Sequence, residues 1–203
     1  MEKENSIGDI DRKLAVVGGD MLKIEFLESS LKNNLPLEVK KYAYVKLSEL
    51  YVKRLMLGVA ARNMESAAES AINFREKKEL YLKQVELLVK NHAFDEADKA
   101  IKKAQTFASN KTEKSELDAK YKNIFMQRGL ELEKIQNMKK ASEVYERLTY
   151  LQPENLEIKK KLAVLYNRLG KIKEAIAMEH ALKNPQPIPQ KQPEFDLNEF
   201  LDS

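Results

Sequence analysis

The chain has 203 residues, enough for one elongated domain or one compact domain with a tail. With only six glycines, six prolines and no cysteine, it excludes a disulfide framework and a thiolate metal site, and it disfavours sheets with Gly-rich turns. Thirty-six basic and 32 acidic residues leave a net charge of +4, which describes a mixed, solvated surface; a nucleic-acid partner is permitted but not demanded.

Leu, Ala, Glu, Lys and Met are abundant, so the expected fold class is all-α. The opening MEKENSIGDI has no basic start leading into an apolar core, and no apolar run approaches the ~20 residues that cross a bilayer. No membrane association is expected. The lack of cysteine fits a cytoplasmic protein.

Ile7, Ile10, Leu14 and Val17 fall on one helical face behind Ser6, a candidate N-cap with Asp9 three residues on. Gly18 and Gly19 end that helix, and Asp20 can cap a second one with Ile24, Leu27 and Leu31 inside. The GGDMLK run lacks the further glycines and the Lys-Ser/Thr pair of a phosphate loop. Residues 1–35 therefore read as an N-terminal helical cap.

Pro36 suits the first turn of a long helix carrying Ala43, Leu47, Leu50, Tyr51 and Leu55. A second helix is expected after the ARN at residues 61–63, with Met64, Ala67, Ala68, Ala71 and Ile72 inward. Tyr81, Val85 and Leu88 mark the next helix, and Phe94, Ala97, Ile101 and Ala104 its partner across KNHA. A polar break, SNKTEKSE, precedes a longer helix with Leu117, Tyr121, Phe125, Leu132 and Ile135. Then come Ala141, Tyr145 and Leu148, a turn at Pro153, and a last pair with Leu162 and Tyr166 facing Ala175 and Leu182. Short loops make successive helices antiparallel.

Ala141 lies 34 residues before Ala175, and Pro153 lies 34 before Pro187. Phe125, Gly129, Leu132, Ala141, Tyr145 and Pro153, followed by Leu162, Ala163, Tyr166, Gly170 and Ala175, resemble the helix-turn-helix signature of the tetratricopeptide repeat. Tyr81, Leu88, Ala97 and Ile101 form a weaker copy, with about ten residues inserted before the next. Ala67, 30 before Ala97, is read as the start of a more divergent one. Arg128, Lys159 and Glu179 depart from the pattern at a Leu, a Trp and an aromatic position.

The resemblance implies an α-α superhelix of antiparallel hairpins over residues 36–182, whose first helices line a concave face. Leu82, Glu86, Met126, Leu130, Lys160, Val164 and Asn167 would line it. Their mostly apolar character suits an amphipathic helix or an extended apolar segment better than an acidic peptide tail.

Residues 183–203 change character. KNPQPIPQKQP contains four of the six prolines and reads as a linker, and EFDLNEFLDS places Leu197, Phe200 and Leu201 at helical spacing. With Phe195 these form a candidate docking motif, aimed at a partner or back at the chain's own groove.

His92 and His180 lack a second ligand at metal spacing, and no nucleophile elbow, nucleotide loop or zincin pair occurs. No enzyme activity, metal or cofactor is expected. Two readings follow. One is a protein-protein scaffold that binds a peptide or helix in its groove. The other is an RNA- or ribosome-associated helical repeat whose Lys-rich stretches around residues 99–122 and 159–173, the latter with Lys159, Lys160, Lys161, Arg168, Lys171 and Lys173, contact phosphate. A homodimer through the open end of the stack is compatible with either.

Overall fold

Asparagine and serine side chains set where five of the described helices begin. In the computed structural model, which describes residues 6–183, Ser6 and Asp9 close a reciprocal capping box on α1 (Ile7–Val16). Asn73, Asn110, Asn137 and Asn155 each accept from a first-turn backbone N–H of α5 (Phe74–Lys90), α7 (Lys111–Lys134), α8 (Met138–Leu151) and α9 (Leu156–Arg168). The others are α2 (Asp20–Leu31), α3 (Leu37–Lys53), α4 (Leu57–Ser70), α6 (Phe94–Thr106) and α10 (Ile172–Lys183). No strand occurs among the described residues.

The fold is an all-α solenoid of hairpins: α3 packs on α4, α5 on α6, α7 on α8 and α9 on α10, with α4 against α5 and α8 against α9 joining successive pairs. One continuous core runs from α4 to α10. A second core gathers Ile10 of α1, Ile24 and Leu27 of α2, and Val39, Ala43 and Leu47 of α3, so α3 is walled by apolar contacts on two sides.

The four hairpins share one turn. Leu55, His92 and Gln136 all have φ 59 and Gly170 has φ 72, the left-handed conformation of a helix C-terminus. The next residue donates its N–H back to the carbonyl five residues earlier each time: Met56 to Tyr51, Ala93 to Leu88, Asn137 to Leu132 and Lys171 to Tyr166, all at 2.9 Å. Five residues past each left-handed position stands a buried alanine: Ala60, Ala97, Ala141 or Ala175. Its missing bulk lets the second helix of the hairpin lie close to the first.

This register corrects several expectations. The divergent copy is anchored by Ala60, not Ala67, which is buried a further two turns along α4. The turn falls at residues 54–56, so the ARN segment is inside α4, and Ile72 is exposed just past the helix end. Most of the polar SNKTEKSE run is helical, because Asn110 starts α7 there. The insertion thus lengthens a helix: α7 has 24 residues where α5 has 17. Gly19, not Asp20, is the N-cap of α2, and Ile135 is exposed at the end of α7.

Candidate protein-interaction surface

Ion pairs running from hairpin to hairpin align two rows of helices. Lys41 of α3 bonds Glu76 of α5 at 2.7 Å, Lys78 of α5 pairs with Glu113 of α7, and Lys161 of α9 reaches Glu133 of α7 at 3.3 Å. In the other row Lys103 of α6 bonds Glu65 of α4 at 2.5 Å, and Asp98 of α6 is held by both Tyr121 of α7 and Arg147 of α8. The row of first helices, α3, α5, α7 and α9, carries the residues expected to line the groove.

Counted back from the anchor alanines, Leu82, Met126 and Lys160 occupy one shared position, and Glu86, Leu130 and Val164 another. Leu82 and Met126 are half-buried against the core. Leu130 and Val164 keep 38% and 52% of their surface in solvent, an apolar edge along the third and fourth hairpins. Glu86, Lys160 and Asn167 are exposed, and Asn167 Nδ2 donates to Glu179 Oε1 at 3.4 Å.

Between α5 and α7 the row opens into a pocket of about 190 Å³. Glu86, Val89 and Lys90 form one wall; Asn123, Ile124, Gln127, Arg128 and Glu131 form the other. Arg128 stands at the Leu position of the repeat, where Leu47 and Leu162 are buried in their hairpins. It is half-buried there, and its Nη1 donates to Glu131 Oε2 at 3.0 Å. The register of α7 is secured from the next residue, Gly129, which lies directly beneath the ring of Tyr145. Apart from Glu86, sequence reasoning missed this pocket. The available signal was Arg128, a charged residue at the Leu position; Gln84 holds the same position one repeat earlier.

Gln84 lines a second pocket, about 210 Å³, on the far side of α5, with Ala61, Leu88 and Ala100 and a charged rim of Arg62, Glu65, Glu96, Lys99 and Lys103. Bonding to Glu65 outweighs burial and raises the Lys103 pKa, so it stays charged beside that carboxylate.

The six cations considered for phosphate contact are spread over α9, the turn after it and the start of α10. Lys161 is bonded to Glu133 and lies 5.7 Å from the Tyr145 ring centroid; Lys171 is 3.9 Å from Glu146 and 5.2 Å from the Tyr166 ring. Lys159 is half-buried, and Lys160, Arg168 and Lys173 are exposed. Along a helix Lys159, Lys160 and Lys161 point about 100° apart. The tail motif of Phe195, Leu197, Phe200 and Leu201 lies outside the described residues. Among those described, no group of three or more His, Asp or Glu side chains is placed to hold a metal ion, and no helix is long and apolar enough to cross a membrane.

The hairpins, their common turn and the exposed first-helix row define a helical-repeat protein of tetratricopeptide-like form. No family model matches the chain. No curated protein matches it either. Among solved structures it is similar to one described as the crystal structure of MamA, at 18% identity over 88% of this chain and 93% of that one, with a TM-score of 0.38. It is also similar to BtubC (BKLC) from P. vanneervenii, at 12% identity over 92% and 84%, with a TM-score of 0.39. The repeat register stands on this chain's own turns and buried residues.

Proposed function

We propose that this chain is a non-catalytic protein-interaction scaffold that holds a peptide or helix of a protein partner along the row formed by α3, α5, α7 and α9. The observation that carries the reading is the alignment of half-buried Leu82 and Met126 with exposed Leu130 and Val164 in one register, beside the charged pocket of Lys90, Arg128 and Glu131. An apolar edge next to fixed charges suits a ligand with apolar residues on one side and polar ones on the other. The segment carrying Phe195, Leu197, Phe200 and Leu201 supplies a second docking element. Phosphate recognition is less well supported, because Lys161 and Lys171 are committed to Glu133 and Glu146.

Quantitative capture from native lysate tests this with the wild-type chain, Leu130→Asp, Val164→Asp and a control, Lys99→Glu, on the opposite row. The two Asp variants should each lose the captured protein, the control should retain it, and the wild-type yield should change little between low and moderate salt. Capture that survives both Asp substitutions, or that falls steeply with salt and is abolished by nuclease, would defeat the reading in favour of phosphate binding.

A further inference from the structure

In the first three hairpins, the residue two past the left-handed turn position is apolar and half-buried: Leu57, Phe94 and Met138. The residue six past it is also covered. Ala61 and Ser142 are each 1% exposed, and Asp98 is taken up by the Tyr121 hydroxyl and Arg147. The following hairpin does the covering: the Phe94 ring lies 5.3 Å from that of Phe125 on α7, which also supplies Tyr121. In the last hairpin the same two places hold Ile172 and Ile176, and these are 53% and 61% exposed.

The uncovered strip is short. Nine residues past the turn, where Met64, Ile101 and Tyr145 are buried, the last hairpin carries the exposed carboxylate of Glu179. Another full hairpin stacked there, or a second copy meeting α10 along its whole length, would desolvate Glu179. A segment of about two turns would not.

We propose that residues 194–202 of the same chain cover Ile172 and Ile176 and so close the open end of the stack. This rests on the reading of the tail as a docking element, but not on what the first-helix row binds. Residues 194–202 contain four carboxylates and no cation, and they place Leu197, Phe200 and Leu201 within little more than one helical turn of sequence. Lys173 adjoins Ile172 and gives that end of the strip the opposite charge, while the carboxylate of Glu179 bounds the other end. Reach is sufficient. The ten residues between Lys183 and residue 194 can span up to about 31 Å, while Ile172 lies only about 16 Å back along α10 from Lys183.

The absence of native cysteine allows a direct test on the full-length chain. Ile176→Cys combined with Phe200→Cys, oxidised at low protein concentration, should give an intramolecular disulfide by mass spectrometry. The control, Glu65→Cys with Phe200→Cys, places its first thiol three hairpins away on α4 and should stay reduced. Bridging of both pairs to equal extent would overturn the proposal, as would disulfides formed only between chains, which would assign the strip to a second copy. Separately, Phe200→Asp with Leu201→Asp should speed amide exchange over residues 176–180 by about tenfold, and unchanged exchange would equally overturn it. Both tail substitutions lie outside the described helices and Ile176 is exposed, so a failure to fold does not obscure the result. The capture experiment on Leu130 and Val164 can succeed or fail independently of this one.

Discussion

A Cβ added to Gly129 would lie 2.7 Å from Cζ of Tyr145. The ring belongs to the second helix of the same hairpin and is fully buried, so it has nowhere to move without disturbing α8. Gly129→Ala sets overpacking of about 1–3 kcal/mol against a helix-propensity gain of about 1 kcal/mol. The expected outcome is a net loss of up to about 2 kcal/mol in urea unfolding, partly recovered when Tyr145→Leu is added. A double-mutant cycle showing no coupling between the two sites would contradict the contact.

Leu55 and Gly170 occupy equivalent left-handed positions with opposite steric consequences. An added Cβ at Gly170 meets no neighbour, so the cost of Gly170→Ala, about 1 kcal/mol, comes from holding a residue with a Cβ in the left-handed conformation. Leu55 is 84% exposed and contributes little packing, so Leu55→Gly should gain about 0.5–1 kcal/mol. Chemical unfolding midpoints measured at equal m-value check both signs.

Asp98 joins three helices, receiving the Tyr121 hydroxyl from α7 and the Arg147 guanidinium from α8. Burial raises the Tyr121 pKa, so its hydroxyl stays protonated and donates throughout the neutral range. Asp98→Ala should lower stability by about 1–3 kcal/mol. Amide exchange in α6 and α8 should accelerate more than in α3 and α4, since the lost contact lies between the second and third hairpins.

His92 sits in the turn between α5 and α6 with Nδ1 3.3 Å from Glu143 Oε2, and Lys140 and Arg128 also face it. Burial is the largest influence and, with the two cations, outweighs Glu143, so the folded-state pKa lies below 6.5. The unfolded chain then binds more protons than the folded one, and stability should fall as pH drops through about 6.5. His92→Asn keeps a residue tolerant of the left-handed turn and should flatten this pH dependence between about pH 7 and pH 5. A variant with the same slope as wild type would assign the effect to other groups.

Three anchors, Ala97, Ala141 and Ala175, were legible in the sequence because the first two are each followed four positions on by another residue of a helix's inner face, and the last two recur at the 34-residue period. Ala60 was hidden among the other small residues of its helix, Ala61, Ala67 and Ala68, and no 34-residue period points to it. Leu55 adopts the left-handed conformation in the turn before it because helices α3 and α4 and the Met56-to-Tyr51 bond impose it, and no local preference announces that. The shared positions of Leu82 and Met126, and of Leu130 and Val164, follow from the anchors alone. The α5–α7 pocket does not. It depends on how closely two helices from different hairpins approach and on the length of Arg128, both properties of the assembled stack.

The extra length of α7 has a consequence for how this molecule tolerates change. Its surplus over α5 is close to two complete turns, so Leu117, Tyr121 and Phe125 stay in phase and all three are buried. Lengthening the rod at its front end by whole turns alters only how far it overhangs its neighbours. Half a turn inserted between Tyr121 and Phe125 would instead swing Leu117 and Tyr121 outward and turn charged residues such as Asp118 and Lys122 toward the stack.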